Sequence, residues 1–438
     1  MPTTPASAPG APRETFDPSG DILAWMGEQF GRHGDIFFAR AFGTEMCAVN
    51  TAEHAQHVLR KNWRNYRKGF AIKRIAMLLG KGLMVSEGEL WKTQRKVIQP
   101  AFHGAAVRQF ADVIAEANDE LRVRWVEAAA HGRTVNLTRD ISHMVLKSTL
   151  LTIFGDDYAT AAAPFAILSD EAARDLEFAQ AFVPLRNVVA QIIGLRRSRG
   201  AVAPDILGLM MSALDPDGGA AMSDGQLISE VMTLVVAGHE TTAITLAWAW
   251  WLLSQSPAVE QRLHQELDLP GAAQGPAGRD RFPFTRQVIE ETMRLYPPGW
   301  LMTRRAICDD QLGDHHIRAG TEVYISPYFL QRNPAYWADP ERFDPDRFSV
   351  ERSADRPELA MLPFSAGPRN CVGETLARVE MQTHLTTIAS HLRLRCCSHE
   401  QPQLSPGVNL RSKTDLIATP MLRIPRGASA VSGLVLAN

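Results

Sequence analysis

The chain has 438 residues, of which 45% are hydrophobic and 21% charged, and its formal net charge is −2. This composition is typical of a globular protein with a large apolar core and excludes a disordered or fibrous chain. Because acidic and basic residues nearly cancel, no overall positive field would hold a nucleic acid, so we exclude a nucleic-acid partner.

The N-terminal residues predict a tail and carry no export signal. Residues 1–12 are rich in Ala, Pro and Thr and lack the basic start and apolar run of a secretory signal. We expect residues 1–19 to form a flexible tail and residues 20–438 to form one large domain. The five cysteines are odd in number and show neither a disulfide framework nor zinc-site spacing, which favours a reducing, cytoplasmic location.

The periodicity of apolar residues predicts a mainly α fold with a minor β region. Alternation around a Phe-Gly-Thr turn predicts a β-hairpin, and three- and four-residue spacing predicts helices. In chain order we expect a hairpin at residues 35–40 and 45–50, helices at 52–60, 109–130, 137–154, 223–256, 257–268 and 285–295, strands within 302–326, and a helix at 373–392.

The apolar stretch of residues 234–253 is long enough to suggest a membrane span. It contains His239 and Glu240 near its start, and ionisable groups are costly in hydrocarbon. We therefore interpret the stretch as a buried core helix and expect no membrane anchor.

Residues 364–373 surround one cysteine with glycines and an arginine. Phe364, Gly367, Arg369, Cys371 and Gly373 satisfy the pattern F-x-x-G-x-R-x-C-x-G directly before a predicted helix. An iron-bound thiolate needs backbone N–H groups aimed at the sulfur, and glycines and a helix N-terminus supply that environment. An isolated cysteine is more often an inert buried side chain.

This segment resembles the haem-binding signature of the cytochrome P450 family, and the similarity extends over residues 20–425. The resemblance implies the cytochrome P450 fold, a haem b cofactor and a thiolate bond from Cys371 to the iron. It further implies contact of Phe364, Gly367, Arg369 and Gly373 with the haem.

The long predicted helix carries a second motif of the family at residues 237–242. The resemblance implies that Ala237 and Gly238 leave room for O2 and that Glu240 and Thr241 deliver protons, because their side chains can donate and accept hydrogen bonds. The alternative is a threonine bonded to the carbonyl four residues back and a solvated glutamate. We interpret His239 as a packing residue.

A third motif is E-x-x-R at Glu291 and Arg294, which share one helix face. The resemblance implies that Arg342, in the segment Pro-Glu-Arg-Phe, joins them in a buried ion triad that fixes the cysteine loop. Alone, this spacing is equally typical of an exposed helical pair.

Basic side chains are expected at the haem propionates. Trp91 and Arg95 are four residues apart, so indole N–H and guanidinium share one helix face. The resemblance adds Arg369 and Arg305, with Arg304 as an alternative to Arg305. Without it, Trp91 reads equally well as a core aromatic.

Several apolar segments are expected to line a substrate pocket, although any core has the same composition. They contribute Met84, Val236, Gly299, Trp300 and Leu301. The motif forms resemble the lipid-hydroxylase branch of the family. We therefore expect a hydrophobic small molecule of lipid, terpenoid or polyketide type.

The chain has no room for a flavin or nicotinamide domain, so we expect a ferredoxin or flavodoxin with its reductase, and NAD(P)H as the ultimate donor. Lys92, Lys96 and Arg378 are predicted to form a basic patch for an acidic redox partner, with scattered surface charges as the alternative. We expect a monomeric monooxygenase of secondary metabolism that uses O2 to hydroxylate or epoxidise its substrate. The alternative function is a haem-thiolate ligand-binding or sensor protein without turnover.

Overall fold

The computed structural model describes residues 14–17, 19–70, 72, 76, 78–169, 176–200, 203–213, 222–269 and 281–423. Most of the predicted N-terminal tail, residues 1–13, lies outside this part of the chain. The predicted helices, hairpin and late strands all lie within it.

The described chain is mainly α with a minor β region, as predicted. Its α-helices, in chain order, are α1 Ile22–His33, α2 Ala52–Gln56, α3 Gly88–Ile98, α4 Gly104–Arg108, α5 Ala111–Ala130, α6 Leu137–Phe154, α7 Tyr158–Phe165, α8 Leu176–Arg199, α9 Ile206–Ser212, α10 Asp224–Gln255, α11 Pro257–Leu267, α12 Pro283–Leu295, α13 Pro327–Leu330, α14 Val350–Ser353 and α15 Glu374–Ala389. Its strands are β1 Glu14–Thr15, β2 Ile36–Ala41, β3 Thr44–Val49, β4 Tyr66–Lys68, β5 Val135–Asn136, β6 Met302–Ala306, β7 Asp310–Leu312, β8 His315–Ile317, β9 Glu322–Ile325, β10 Leu392–Cys396, β11 Leu404–Pro406, β12 Leu410–Ser412 and β13 Ile417–Leu422.

The chain folds into two compact units, each assembled from three sequence ranges. The first unit comprises residues 1–72, 300–340 and 357–370 and contains a six-stranded sheet in the order β1-β2-β3-β9-β6-β4. Strand β1 pairs in parallel with β2. Within the expected tail, Glu14 and Thr15 therefore form a strand, because the edge of β2 offers backbone hydrogen-bond partners.

The predicted hairpin forms between β2 and β3, with Ile36 opposite Val49 and Ala41 opposite Thr44. The two residues between the strands, Phe42 and Gly43, have φ of 51° and 75°. Positive φ at both positions is the geometry of a type I′ turn, whose twist matches that of the strands.

The second unit comprises residues 73–299, 341–356 and 371–438 and is mostly helical. Its longest element is α10, which begins at a capping box made by Ser223 and Gln226 and is buried over most of its length. Helix α10 packs along α6, and near its C-terminal end the rings of Trp248 and Tyr296 stack at 3.9 Å between centroids. Within the described chain, no helix has both the length and the apolar character needed to cross a membrane.

Two small β elements complete the second unit. Strands β10, β13 and β5 form an antiparallel sheet, and β11 and β12 form a hairpin. The helix expected over residues 373–392 ends at Ala389, and β10 follows. Burial of Leu392, Leu394 and Cys396 alternates with partial exposure of Arg393 and Arg395, the pattern of a strand with one covered face.

Candidate active site

Cys371 lies three residues before Glu374, the first residue of α15, and is exposed. The protein around it raises the pKa of the thiol by desolvation, and the Glu374 carboxylate acts in the same direction. The backbone N–H of Gly373, the Arg95 guanidinium and the backbone N–H of Glu374 lower it. The start of a helix thus supplies the N–H groups that favour a thiolate.

In the first unit, the segment before the cysteine is locked by Gly367. Its φ is +73°, and a Cβ atom built there would lie 2.0 Å from the carbonyl oxygen of Leu59. Only glycine fits both the backbone conformation and this close approach. Phe364 and Arg369 lie beside it and are half-buried.

Helix α10 becomes partly exposed at the motif of residues 237–242. The helix is buried on all sides over residues 230–235, whereas Val236, Ala237, Glu240 and Thr241 are partly exposed. These positions share one face of a helix, so this face borders open space. At Gly238 a Cβ would meet Thr149 at 3.6 Å, an ordinary contact, so packing on that side does not require glycine.

The polar side chains of this motif have defined partners. The Thr241 hydroxyl donates to the carbonyl of Ala237 at 2.9 Å, which is the back-bonded geometry considered as the alternative. The His239 ring is buried, with Nε2 2.9 Å from Ser142 Oγ, in agreement with the packing interpretation. Glu240 accepts a 2.7 Å hydrogen bond from Asn409 Nδ2 and is not simply solvated. No sequence signal pointed to Asn409.

Glu291 and Arg294 form a buried ion pair, with Arg294 Nε 2.6 Å from Glu291 Oε2 and neither side chain exposed. Burial raises the pKa of Glu291, and Arg294, the backbone N–H of Asp344 and Arg347 oppose that shift. The third member of the triad is Arg347, whose Nε lies 3.3 Å from Glu291 Oε1. The prediction of Arg342 in this position is wrong.

The sequence could not distinguish the two arginines, because residues 340–343 and 345–348 both read Pro-x-Arg-Phe. The second copy forms a 3₁₀ turn, Pro345–Phe348, that packs on α12 and buries Arg347. Arg342 is exposed and contributes only its carbonyl oxygen, 3.2 Å from Arg294 Nη2. Tertiary packing therefore decides which arginine reaches the carboxylate.

Trp91 and Arg95 share one helix, α3, in the second unit. Trp91 is buried, and Arg95 is half-buried with its Nε donating to Gln99 Oε1 at 3.0 Å. Burial lowers the pKa of Arg95, whereas the charge of Cys371 raises it. The structure thus brings the predicted iron ligand and a predicted propionate partner close enough to interact.

Arg304 and Arg305 lie on β6 in the first unit. Arg305 Nη1 is 3.9 Å from Oε1 of the buried Glu322, and Arg304 Nη1 donates to the carbonyl of Thr303 at 3.0 Å. Neither distance bears on a cofactor carboxylate, so the role of Arg305 stays a prediction.

The segment that carries Met84 is held against α10. Leu83 N donates to Glu230 Oε2 at 2.8 Å, and a Cβ at Gly82 would lie 2.1 Å from Thr233 Oγ1. Of the other pocket residues, Gly299 is exposed in the second unit, and in the first unit Leu301 is half-buried and Trp300 is 4% exposed. The indole of Trp300 is therefore a packed core group.

Of the predicted basic patch of Lys92, Lys96 and Arg378, the structure does not support Arg378. Arg378 is partly buried and forms ion pairs with Glu290 and, at 3.0 Å, with Glu374. Lys92 pairs with Glu89 at 2.6 Å on the surface, and Lys96 is exposed. Because Arg378 is neutralised by two carboxylates, its inclusion in a partner-binding patch is wrong.

Comparisons with known proteins agree over nearly the whole chain. The family model described as Cytochrome P450 matches residues 17–193 and 201–417. The chain is 33% identical over 386 residues to cyclooctat-9-en-7-ol 5-monooxygenase of Streptomyces melanosporofaciens, covering 83% of each protein. It is 31% identical over 418 residues to cyclooctatin synthase of the same organism, covering 90% of this chain and 89% of the relative.

Two more distant similarities point the same way. Pentalenene oxygenase of Streptomyces avermitilis is 26% identical over 384 residues, covering 83% of this chain and 84% of the relative. The crystal structure of the cytochrome P450DA heme domain superposes with a TM-score of 0.81 at 24% identity and covers 92% of this chain and 93% of that chain. At that identity the structural match concerns the fold.

Proposed function

The chain belongs to the cytochrome P450 family and is a monooxygenase, and from this premise we propose that it hydroxylates or epoxidises a hydrophobic polycyclic small molecule of terpenoid type. The observation that carries the proposal is the similarity above 30% to a relative named for oxidation of cyclooctat-9-en-7-ol. The partly exposed, apolar residues Met84 and Val236 of the second unit suit a substrate held by shape. This role belongs to secondary metabolism.

The family implies haem b, and the residues present fit it. Cys371 is exposed and receives backbone hydrogen bonds from Gly373 and Glu374, while the half-buried Arg95 suits a carboxylate-bearing cofactor. When bound, haem b supplies activation of O2 with two electrons. We assign the iron bond to Cys371 and the propionates to Trp91 and Arg95, which all belong to the second unit.

Glu240 and Thr241 carry protons in this proposal. Thr241 donates its hydroxyl hydrogen to Ala237, which leaves the oxygen lone pairs free to accept a hydrogen bond on the open face of α10. Glu240 lies one residue earlier and can pass a proton through water to that hydroxyl. The buried triad of Glu291, Arg294 and Arg347 fixes the frame around the site.

Electrons come from a separate protein in this proposal, since the described residues are accounted for by the haem-binding fold. We propose a ferredoxin or flavodoxin with its reductase and NAD(P)H as the ultimate donor, acting on a monomer in the cytoplasm. The five cysteines are free thiols, which agrees with a reducing compartment.

The cofactor assignment is tested by spectroscopy of the reduced protein with carbon monoxide. The wild-type holoprotein should give the red-shifted absorption band of a thiolate ligand, and Cys371→Ser should lose it. Cys308→Ser, which removes an exposed thiol, should keep it. A band that survives in Cys371→Ser would overturn the assignment.

The substrate class is tested by titrating the holoprotein with polycyclic terpenes, linear fatty acids and polyketides while the haem absorption is followed, with analysis of the products. We expect spectral change and single-oxygen products with the terpenes. In the same assay Thr241→Ala should release more peroxide per NAD(P)H than Thr241→Ser, which keeps a hydroxyl. Turnover of fatty acids alone would contradict the substrate class.

A further inference from the structure

Glu240 is bound by a residue 169 positions away. Asn409 Nδ2 donates to Glu240 Oε2 at 2.7 Å, and both side chains are part-buried. A hydrogen bond from an amide to a carboxylate is charge-assisted and roughly twice as strong as a neutral one. The contact therefore constrains where this carboxylate points.

Asn409 sits at the turn of a hairpin that is itself fixed. Strands β11 and β12 pair from Leu404 opposite Ser412 to Pro406 opposite Leu410. Leu410 is fully buried, and its N–H donates to the carbonyl of Pro298 at 2.9 Å. Because the next residue is anchored in this way, the backbone of Asn409 has a defined position from which its side chain reaches Glu240.

The Glu240 side chain also borders an open cleft. The cleft leaves about 30 Å³ for the centres of water molecules; Thr138 and Ser142 of α6 and Arg411 and Ser412 of β12 line it beside Glu240, and apolar residues, mostly of α10, form the rest of its wall. Since one water needs roughly 10–15 Å³ of such volume, this space holds about two waters. Hydroxyl groups and an arginine give those waters polar partners.

We propose that Asn409 is a positioning residue that holds Oε2 of Glu240 so that the carboxylate exchanges protons with water in this cleft. A hydronium ion that reaches the cleft from bulk solvent gives its proton to the carboxylate and is left as water. The neutral acid then passes the proton inward and returns to its ionised form, so charge balances over the two transfers. The inference rests on the proposed function, in which Glu240 supplies protons. It adds the route from solvent and the residue that fixes the donor.

The chemistry of asparagine suits this task. An amide stays neutral at every working pH, so it keeps its hydrogen bond without adding a charge. A lysine or arginine in its place would hold the carboxylate in its ionised form by a full positive charge and oppose each protonation. The asparagine orients the group and leaves it able to change protonation state.

The test compares Asn409→Ala and Asn409→Asp with Ser405→Ala, a control on β11 that does not line the cleft. Asn409→Ala should release about tenfold more peroxide per NAD(P)H than wild type, because the proton donor is misplaced. In Asn409→Asp a protonated aspartate can donate as asparagine does, and an ionised one cannot. Its product yield should match wild type at acid pH and fall at alkaline pH, while Ser405→Ala follows wild type throughout.

Infrared spectroscopy of the holoproteins provides a readout independent of turnover. The carboxylate bands lost in Glu240→Gln identify this side chain, and they should shift in Asn409→Ala but not in Ser405→Ala. Unshifted bands, or a product yield in Asn409→Ala equal to wild type while Glu240→Gln uncouples, would overturn the proposal. If Glu240→Gln itself keeps full coupling, the proton role in the proposed function fails, and the bands still decide whether Asn409 holds the carboxylate.

Discussion

Glu380 on α15 is a buried carboxylic acid, and its burial disfavours the ionised form. It is 5% exposed, and burial raises its pKa from 4.5 to about 7 despite a hydrogen bond from Ser148. His384, one turn later, is also buried, and burial lowers its pKa to about 3. Both groups are therefore favoured in their neutral forms inside the helical unit.

We expect Glu380 to make the protein less stable as pH rises. The folded state holds the proton up to about pH 7 and the unfolded state releases it near 4.5, so stability falls across that window. Urea unfolding of wild type should show a loss of up to about 3 kcal/mol between pH 5 and 8 relative to Glu380→Gln, which cannot ionise. The contribution of His384 is common to both proteins and cancels. Equal pH slopes would contradict this expectation, and Glu89→Gln on the exposed surface serves as the control.

At the scale of elements, the turn Pro345–Phe348 contributes one side chain to the buried ion triad. It places Arg347, 5% exposed, against the buried carboxylate of Glu291 beside α12. Truncating one partner of a buried ionic network leaves charge uncompensated, whereas an exposed arginine contributes little. The two Pro-x-Arg-Phe segments should therefore differ strongly in their sensitivity to substitution.

We expect Arg347→Met to cost about 3–5 kcal/mol of unfolding free energy and to weaken haem retention. Arg342→Ala should cost less than about 1 kcal/mol, because its contact to Arg294 is made by the backbone carbonyl, which the variant keeps. Urea unfolding and the haem content after gel filtration measure both quantities. Comparable losses in the two variants would show that Arg342 has a side-chain role.

At the scale of the whole molecule, a net charge of −2 leaves recognition of a redox partner to local charges. On α3, Lys96 is exposed and Lys92 is 51% exposed beside Glu89. Exposed charges of this kind act mainly on association rates, and salt screens them.

Reversing the charge of Lys92 or Lys96 should slow electron delivery from the redox partner. Lys92→Glu and Lys96→Glu should each reduce the rate of reduction by an acidic ferredoxin several-fold at low salt, with the difference vanishing at high salt. Lys413→Glu makes the same charge change outside α3 and should leave the rate near that of wild type. Stopped-flow measurements give the rates of reduction. Equal rates in all three variants would exclude a docking role for α3.

The sequence alone determined the local features of the structure, meaning those specified by residues close together in the chain. Apolar spacing located α6 and α10 nearly to the residue, because a helix face repeats every three to four positions. The turn at Phe42 and Gly43 and the cysteine motif are equally local, since a few adjacent residues specify them. These features predicted the fold class, which the structure confirms, and Cys371 as the iron ligand, which stays a prediction.

Tertiary structure decided the partners of the polar side chains. Two segments of the same pattern, Pro-x-Arg-Phe, offered Arg342 and Arg347, and packing against α12 places Arg347 at Glu291. The pairing of Asn409 with Glu240 and the approach of Leu59 to Gly367 join residues 169 and 308 positions apart. No local pattern encodes such contacts, because their geometry depends on how distant elements pack, and a hydrogen bond or ion pair forms only within a few ångströms.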